Sequence, residues 1–154
     1  MTNPSYTTQA RVMGGRSGHG RTSDGKLEVD LRLPKELGGD GAGTNPEQLF
    51  AIGYAACFST VVTILAQRKK LQAGDAIVDS TVTLLGDADG TFRLRAQLDV
   101  TLPSIRDPEQ AADLVRAAHE LCPYSRATRG NVAVALTVNG TAIQSADDLT
   151  LQRG

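Results

Sequence analysis

The chain lacks tryptophan and has only two cysteines, two histidines and few aromatic side chains among its 154 residues. A structural zinc site takes its ligands from closely spaced Cys or His pairs, and no C-x-x-C or H-x-x-x-H pair occurs. A chain of this length buries a core without disulfide staples. The composition therefore predicts one domain over residues 1–154.

The chain also lacks a marked excess of either acidic or basic residues. The formal net charge is -1 and no basic run occurs, so we expect neither a nucleic-acid partner nor a membrane partner. Residues 1–10 lack the charged and apolar regions of a secretion signal, which predicts a cytoplasmic protein. In that reducing compartment two cysteines form a catalytic, metal-binding or simply buried pair more often than a permanent disulfide.

No charged residue occurs from Gln48 to Gln67. About 20 apolar residues span a bilayer, so the run raises the question of a membrane helix. Its several Gln, Ser and Thr side chains make it only moderately apolar, and the strands predicted around it need a helix to pack on. These features favour a buried core helix.

The N-terminal third, residues 1–44, is predicted to be a small strand meander. Apolar and polar residues alternate from Leu27 to Leu33, as in a half-buried strand, and we expect Tyr6–Met13 to pair with it. Glycines between the two strands predict a loop over Gly14–Gly20, and Pro34–Thr44 is predicted to be a second loop.

A helix-start signature follows the meander. Thr44-Asn45-Pro46-Glu47 combines a T-x-x-E capping box with an early proline, predicting a central helix over about 45–70. Beyond it we expect a strand hairpin, a second helix, a last strand and a polar tail. The predicted ranges are Ile77–Leu85 and Phe92–Leu102 for the hairpin, about 107–122 for the helix and Val132–Val138 for the strand. These elements indicate an α+β fold with antiparallel sheets.

The two cysteines occupy different positions in this pattern. Cys57 falls mid-helix among apolar residues, and Cys122 precedes the proline that limits the second helix. Composition alone favours two buried core cysteines. Burial raises the pKa of a thiol, so reactivity requires a nearby cation. Arg16, flanked by glycines that let the backbone approach closely, is the best-placed candidate, and Glu47 is an acid able to orient it.

Other cations and other uses of the thiols stay open on these grounds. The remaining candidate cations are Arg21, Arg126 and Arg129. A zinc-binding structural domain would draw on Cys57, His119 and Cys122, with His19 as a further ligand. A redox sensor, or a module that binds hydrophobic ligands without turnover, would use the same apolar surroundings.

Longer blocks of sequence carry a resemblance. Gly14-Gly15-Arg16, the stretch 34–39, the stretch 45–58 ending in Ala55-Ala56-Cys57-Phe58, and the stretch 122–131 beginning Cys122-Pro123-Tyr124-Ser125 occur in order. Together they resemble the organic hydroperoxide resistance branch of the Ohr/OsmC family over almost the whole chain. The chain departs from the family pattern at Ile52 and Arg126, away from the positions that match its catalytic residues.

The resemblance implies a thiol peroxidase with the OsmC-like fold, in which a long buried central helix carries Cys57. It implies that Cys57 attacks organic hydroperoxides, that Cys122 resolves the sulfenic acid as a disulfide, that Arg16 stabilises the thiolate and that Glu47 orients Arg16. It also implies an intertwined homodimer, no bound cofactor or metal, and dihydrolipoamide on lipoylated proteins as the external reductant. Uncharged neighbours of Cys57 are expected to bind the substrate, namely Leu49, Phe50, Tyr54 and Phe58.

Overall fold

A three-stranded antiparallel sheet organises the first part of the chain. A computed structural model describes Asn3 and residues 5–144, and these divide into two compact units, one ending at Leu49 and one beginning at Phe50. The first unit contains strands β1 (Ala10–Met13), β2 (His19–Thr22) and β3 (Glu28–Asp30), in the order β1-β2-β3. A meander is therefore present, as predicted.

The predicted pairing within the meander is wrong, because β2 lies between the two strands expected to pair. Gly20 in β2 is opposite Val12 on one side and Val29 on the other. The expected loop over Gly14–Gly20 thus contains a 3₁₀ turn (Gly15–Ser17) and then the start of β2. A Cβ atom at Gly20 would lie in ordinary van der Waals contact with the side chains of Val12 and Val29, at 3.4 and 3.7 Å.

Helix α1 (Pro46–Arg68) begins one residue later than the capping box predicts. Asn45 is the N-cap, since its side-chain oxygen accepts a hydrogen bond from the Gln48 backbone N–H at 2.9 Å. The Thr44 hydroxyl donates instead to the Gln48 side chain at 2.7 Å. Glu47 therefore does not take part in a capping box, and its carboxylate can bind another partner.

A four-stranded mixed sheet organises the second unit. Its strands are β4 (Ile77–Gly86), β5 (Phe92–Thr101), β6 (Ala133–Val138) and β7 (Thr141–Ile143), in the order β4-β5-β6-β7. The expected hairpin joins β4 to β5, but β5 and β6 are parallel, which differs from the purely antiparallel expectation. The reason is that helices α2 (Pro108–Leu121) and α3 (Pro123–Thr128) form a crossover between them.

The core of the second unit lies between this sheet and the helices. Strand β5 presents Ala96, Leu98 and Val100 to it, as its alternating sequence predicts. The Asp107 side chain caps α2 by accepting hydrogen bonds from two backbone N–H groups, and Pro108 takes the first helical position, both as expected. The buried face of α2 includes Ala111, Leu114, Val115 and Ala118.

Helix α1 packs on the same core through one face, formed by Tyr54, Phe58, Val62, Leu65 and Ala66. Among the described residues it is the one helix long and apolar enough to cross a membrane by length and composition. Its membership in the core cluster supports the buried-helix prediction. Other apolar side chains on it, such as Ile52 and Ile64, are exposed in the single chain.

Candidate active site

The two thiols of the chain lie together. The Sγ atoms of Cys57 and Cys122 are 3.6 Å apart, and both cysteines are free thiols. Cys57 is half-buried on α1, whereas Cys122 is fully buried. A small movement brings such a pair to bonding distance, so the arrangement suits reversible disulfide chemistry.

Cys122 is held by the backbone at the corner where α2 ends and α3 begins. Its N–H donates to the Ala118 carbonyl at 2.8 Å, and its own carbonyl accepts from the Arg126 N–H at 2.9 Å. Pro123 occupies the first position of α3, where its missing N–H costs no hydrogen bond. The resolving position predicted at this proline is thus fixed by both helices, although α3 itself was not predicted.

The surroundings of Cys57 oppose ionisation. Burial raises the pKa of the Cys57 thiol, and the neighbouring Cys122 side chain raises it further. A hydrogen bond from the Tyr124 backbone N–H acts in the other direction and lowers the pKa. This donor cannot be predicted from the sequence, because it is a main-chain group whose direction is set by the start of α3. The net effect is a raised pKa, so formation of the Cys57 thiolate still requires a nearby cation.

An ion pair joins Arg16 to Glu47 within the first unit. The guanidinium donates from both terminal nitrogens to the two carboxylate oxygens, at 2.8 and 2.6 Å. This bidentate hydrogen bonding lowers the pKa of Glu47 and raises that of Arg16. Gly14 and Gly15 both have positive φ, at 78° and 54°, which explains why glycines precede the arginine. The pairing of these two residues agrees with the prediction, while their catalytic roles stay predictions.

The other candidate cations have different surroundings. Arg129 donates to the carbonyl of His119 at 3.1 Å and lies 3.4 Å from Glu120. Arg21 lies 3.8 Å from a carboxylate oxygen of Glu28. Both are therefore engaged with neighbours that are not thiols.

The predicted substrate-binding residues differ in exposure. Tyr54 and Phe58 are fully buried in the core, whereas Leu49 and Phe50 are half-buried. Phe50 makes an edge contact with Tyr54, with ring centroids 5.8 Å apart. The ring centroid of Tyr124 lies 6.0 Å from that of Phe50. Tyr124 is thus a further aromatic residue of this group, beyond those predicted from the sequence. Its place directly after Cys122-Pro123 is the signal that could have indicated it.

His119 was proposed only as a zinc ligand. In the structure it is buried, and its Nδ1 forms a hydrogen bond of 3.0 Å with the Ser125 hydroxyl. Over Asn3 and residues 5–144, no group of three or more His, Cys, Asp or Glu side chains is arranged to hold a metal ion. The other histidine, His19, lies between Asp30 and Glu28, at 2.9 and 3.0 Å, and both contacts raise its pKa.

Comparison with known proteins gives consistent matches. Residues 38–137 match the family model for OsmC-like proteins. The chain is 45% identical over 135 residues to the organic hydroperoxide resistance protein of Xanthomonas axonopodis pv. citri, covering 86% of this chain and 94% of that protein.

Solved structures match equally well. A putative organic hydroperoxide resistance protein from Vibrio cholerae, with captopril bound in one of its active sites, is 45% identical and has a TM-score of 0.86; the match covers 92% of this chain and 96% of that one. The corresponding Bacillus subtilis protein is 42% identical with a TM-score of 0.79, covering 87% and 98%.

Proposed function

Because the chain belongs to the OsmC-like family, and its relatives at 41–46% identity include organic hydroperoxide resistance proteins, we propose that it is a thiol-dependent peroxidase for organic hydroperoxides. The observation that carries this proposal is the 3.6 Å separation of the Cys57 and Cys122 sulfurs. Two free thiols this close supply both electrons that reduction of one peroxide requires.

In the first step the Cys57 thiolate attacks the terminal oxygen of the hydroperoxide. The O–O bond breaks, the sulfur becomes a sulfenic acid, and the departing alkoxide takes a proton to leave as the alcohol. The Tyr124 N–H supports this step, since it donates to the sulfur and lowers the thiol pKa. Cys57 is half-buried, which leaves part of its surface open to a substrate.

In the second step the Cys122 sulfur attacks the sulfenic sulfur. An S–S bond forms, hydroxide leaves from Cys57, and it combines with the proton of the Cys122 thiol as water. The full burial of Cys122 suits this role, because it keeps the resolving thiol from reacting with peroxide on its own.

Arg16 is our candidate for the cation that the raised pKa of Cys57 calls for, and Glu47 for the group that orients it. The resemblance assigns these roles, and the bidentate pair supports the orienting part, since two parallel hydrogen bonds fix the plane of the guanidinium. A guanidinium stays protonated at any physiological pH, so its stabilisation of a thiolate does not depend on its own titration.

For the substrate we propose an apolar organic hydroperoxide with an alkyl, aryl or fatty-acyl group. The uncharged neighbours of Cys57 support this proposal. Leu49 and Phe50 retain exposed surface, and Tyr54 and Phe58 back them from the core. Burying apolar surface of a tail yields binding energy that hydrogen peroxide cannot obtain.

The remaining features are proposed on the family resemblance. They are reduction of the disulfide by dihydrolipoyl groups of lipoylated proteins, an intertwined homodimer, and action in the cytoplasm without nucleic-acid or membrane partners. The exposed apolar side chains on α1, among them Ile52 and Ile64, are consistent with a dimer, since a partner chain would cover them.

Peroxide consumption tests the function directly. Purified protein is given cumene hydroperoxide with either dihydrolipoamide or a monothiol, and loss of peroxide is followed over many turnovers. We expect sustained turnover with the dithiol, none with Cys57→Ser, and normal turnover with the control Thr60→Ser, an exposed position on the same helix. A single oxidation without turnover would indicate a redox sensor, and zinc in protein purified without chelator would indicate a metal-binding domain.

A further inference from the structure

Three buried polar side chains form a continuous hydrogen-bonded chain in the second unit. The Tyr54 hydroxyl lies 2.9 Å from the Ser125 hydroxyl, which lies 3.0 Å from Nδ1 of His119. All three residues are at most 1% exposed. Buried polar groups are costly unless they are hydrogen-bonded, so this chain, here called the Tyr54–Ser125–His119 relay, ties its members together.

Each relay residue lies three positions from one of the two cysteines. Tyr54 precedes Cys57 by three residues on α1, and His119 precedes Cys122 by three residues on α2. Ser125 follows Cys122 by three residues on α3. The relay therefore links the helix that carries one sulfur to both helices that meet at the other.

The Ser125 hydroxyl at the centre of the relay cannot donate to both of its neighbours. A serine hydroxyl has one proton, so it donates to at most one of its two neighbours and accepts from the other. Removing any member takes one hydrogen bond from a buried group on another helix. A small displacement of α1 relative to the α2–α3 corner would stretch the bond between Tyr54 and Ser125.

We infer that the Tyr54–Ser125–His119 relay positions Cys122 for attack on the oxidised Cys57, and so acts on the resolving step of the proposed peroxidase. This inference rests on the proposed function. The sulfurs must close from 3.6 Å to about 2.05 Å, and both are fixed to helices that the relay joins. Oxidation of Cys57 by peroxide needs no such register, because the incoming oxygen comes from a free substrate.

The relay members are thus positioning residues. Their loss should slow the resolving step and not the first oxidation, which distinguishes them from residues that serve stability alone. Loss of one hydrogen bond is expected to slow disulfide formation by about five- to tenfold. In Ser125→Ala, which leaves the proposed substrate-binding side chains in place, the rate of the first oxidation should change by less than about twofold, since the Tyr124 N–H and Cys57 itself are unaltered. A longer-lived sulfenic acid should then be over-oxidised more often by excess peroxide.

The variants follow from the geometry. Ser125→Ala removes the central hydroxyl, and with it both hydrogen bonds of the relay. His119→Leu removes the nitrogen, while His119→Asn places a polar atom near the position of Nδ1 and should restore the resolving rate. Val134→Ala, a buried change in β6, serves as a control that lowers stability without touching the relay.

Rapid mixing with one equivalent of cumene hydroperoxide, followed by acid quench and intact-mass measurement, separates the two steps. We expect Ser125→Ala and His119→Leu to accumulate sulfenic acid, and wild type, His119→Asn and Val134→Ala to pass rapidly to the disulfide. Equal resolving rates in wild type and Ser125→Ala would overturn the inference while leaving the peroxidase intact, as would equal slowing of both steps. Absence of the disulfide in the wild type would overturn both proposals. If His119→Leu does not fold, Ser125→Ala and His119→Asn decide alone.

Discussion

Replacing Cys122 by serine isolates the first half of the proposed reaction. The variant keeps Cys57 and the Tyr124 N–H that donates to it, so one rapid oxidation by an organic hydroperoxide is expected. The serine hydroxyl is too weak a nucleophile to attack the sulfenic acid. The oxidised Cys57 should therefore persist, react with an external thiol, or be over-oxidised.

The magnitude follows from the sulfur–sulfur distance. Well-oriented intramolecular groups reach effective molarities of about 10⁵ M, and a misplacement of about 1 Å costs roughly 10²-fold. Near-attack conformers hold the reacting atoms about 3–3.5 Å apart, so the 3.6 Å separation is too long by at most roughly 0.6 Å, which leaves an effective molarity on the order of 10⁴ M. An external thiol at about 1 mM would then resolve Cys57 on the order of 10⁷-fold more slowly than Cys122 does.

Intact-mass measurement after one equivalent of cumene hydroperoxide reads the outcome. Wild-type protein should lose two hydrogen atoms as the disulfide forms, whereas Cys122→Ser should gain one oxygen atom. Cys57→Ser should do neither, and serves as the control for oxidation elsewhere. If the oxygen adduct disappeared equally fast in wild type and Cys122→Ser, Cys122 would not be the resolving thiol.

Three further outcomes are expected. Arg16→Ala should raise the pKa of Cys57 further and slow its oxidation, and Glu47→Ala should have the same two effects more weakly. Because the pKa of Cys57 in the folded protein is already raised, the rate of thiol alkylation should still increase with pH above about 8.5, the ordinary thiol pKa. An unchanged alkylation profile in Arg16→Ala would remove Arg16 from the mechanism. Stopped-flow rate constants should rise from hydrogen peroxide to tert-butyl and cumene hydroperoxides, by up to about fourfold per fully buried methylene, and equal constants would show that the site does not select apolar tails. The raised pKa of His19 predicts a contribution to stability that is present below about pH 6.5 and lost as the pH rises through the folded pKa; NMR titration should show a lower His19 pKa in Asp30→Asn, and no change would contradict the assigned contact.

Local sequence rules predicted the elements whose pattern is long or capped. The alternation of β5 and the Asp107-Pro108 start of α2 both appear in the structure as expected. The central helix was also predicted nearly to its last residue, because an uncharged run of that length has few other stable arrangements.

The misses have physical reasons of the same kind. Strand β2 has the sequence His-Gly-Arg-Thr, with no apolar alternation, so its place in the sheet depends on neighbouring strands. Helix α3 has only six residues and begins with a proline, which in the sequence indicates the end of the preceding helix. Asn45 rather than Thr44 caps α1, a choice between two competent caps that only the chain path decides.

The candidate site was predictable only where single residues carry the signal. The two cysteines and the Arg16–Glu47 pair could be named from sequence and resemblance. The Tyr124 N–H could not, since every residue but proline has such a donor and only the fold aims it at Cys57. The bond between Ser125 and His119 likewise depends on how α2 meets α3.

The separation of the thiols along the chain links turnover to folding thermodynamics. Cys57 and Cys122 are 65 positions apart, so a bond between them closes a loop of that size in the unfolded chain. In the chain-entropy account such a loop lowers the entropy of the unfolded state by an amount equivalent to about 4 kcal/mol at 25 °C. The oxidised protein should therefore resist denaturant better than the reduced protein. Each catalytic cycle would carry the molecule between a more stable and a less stable form, and its unfolding midpoint would record which form is present.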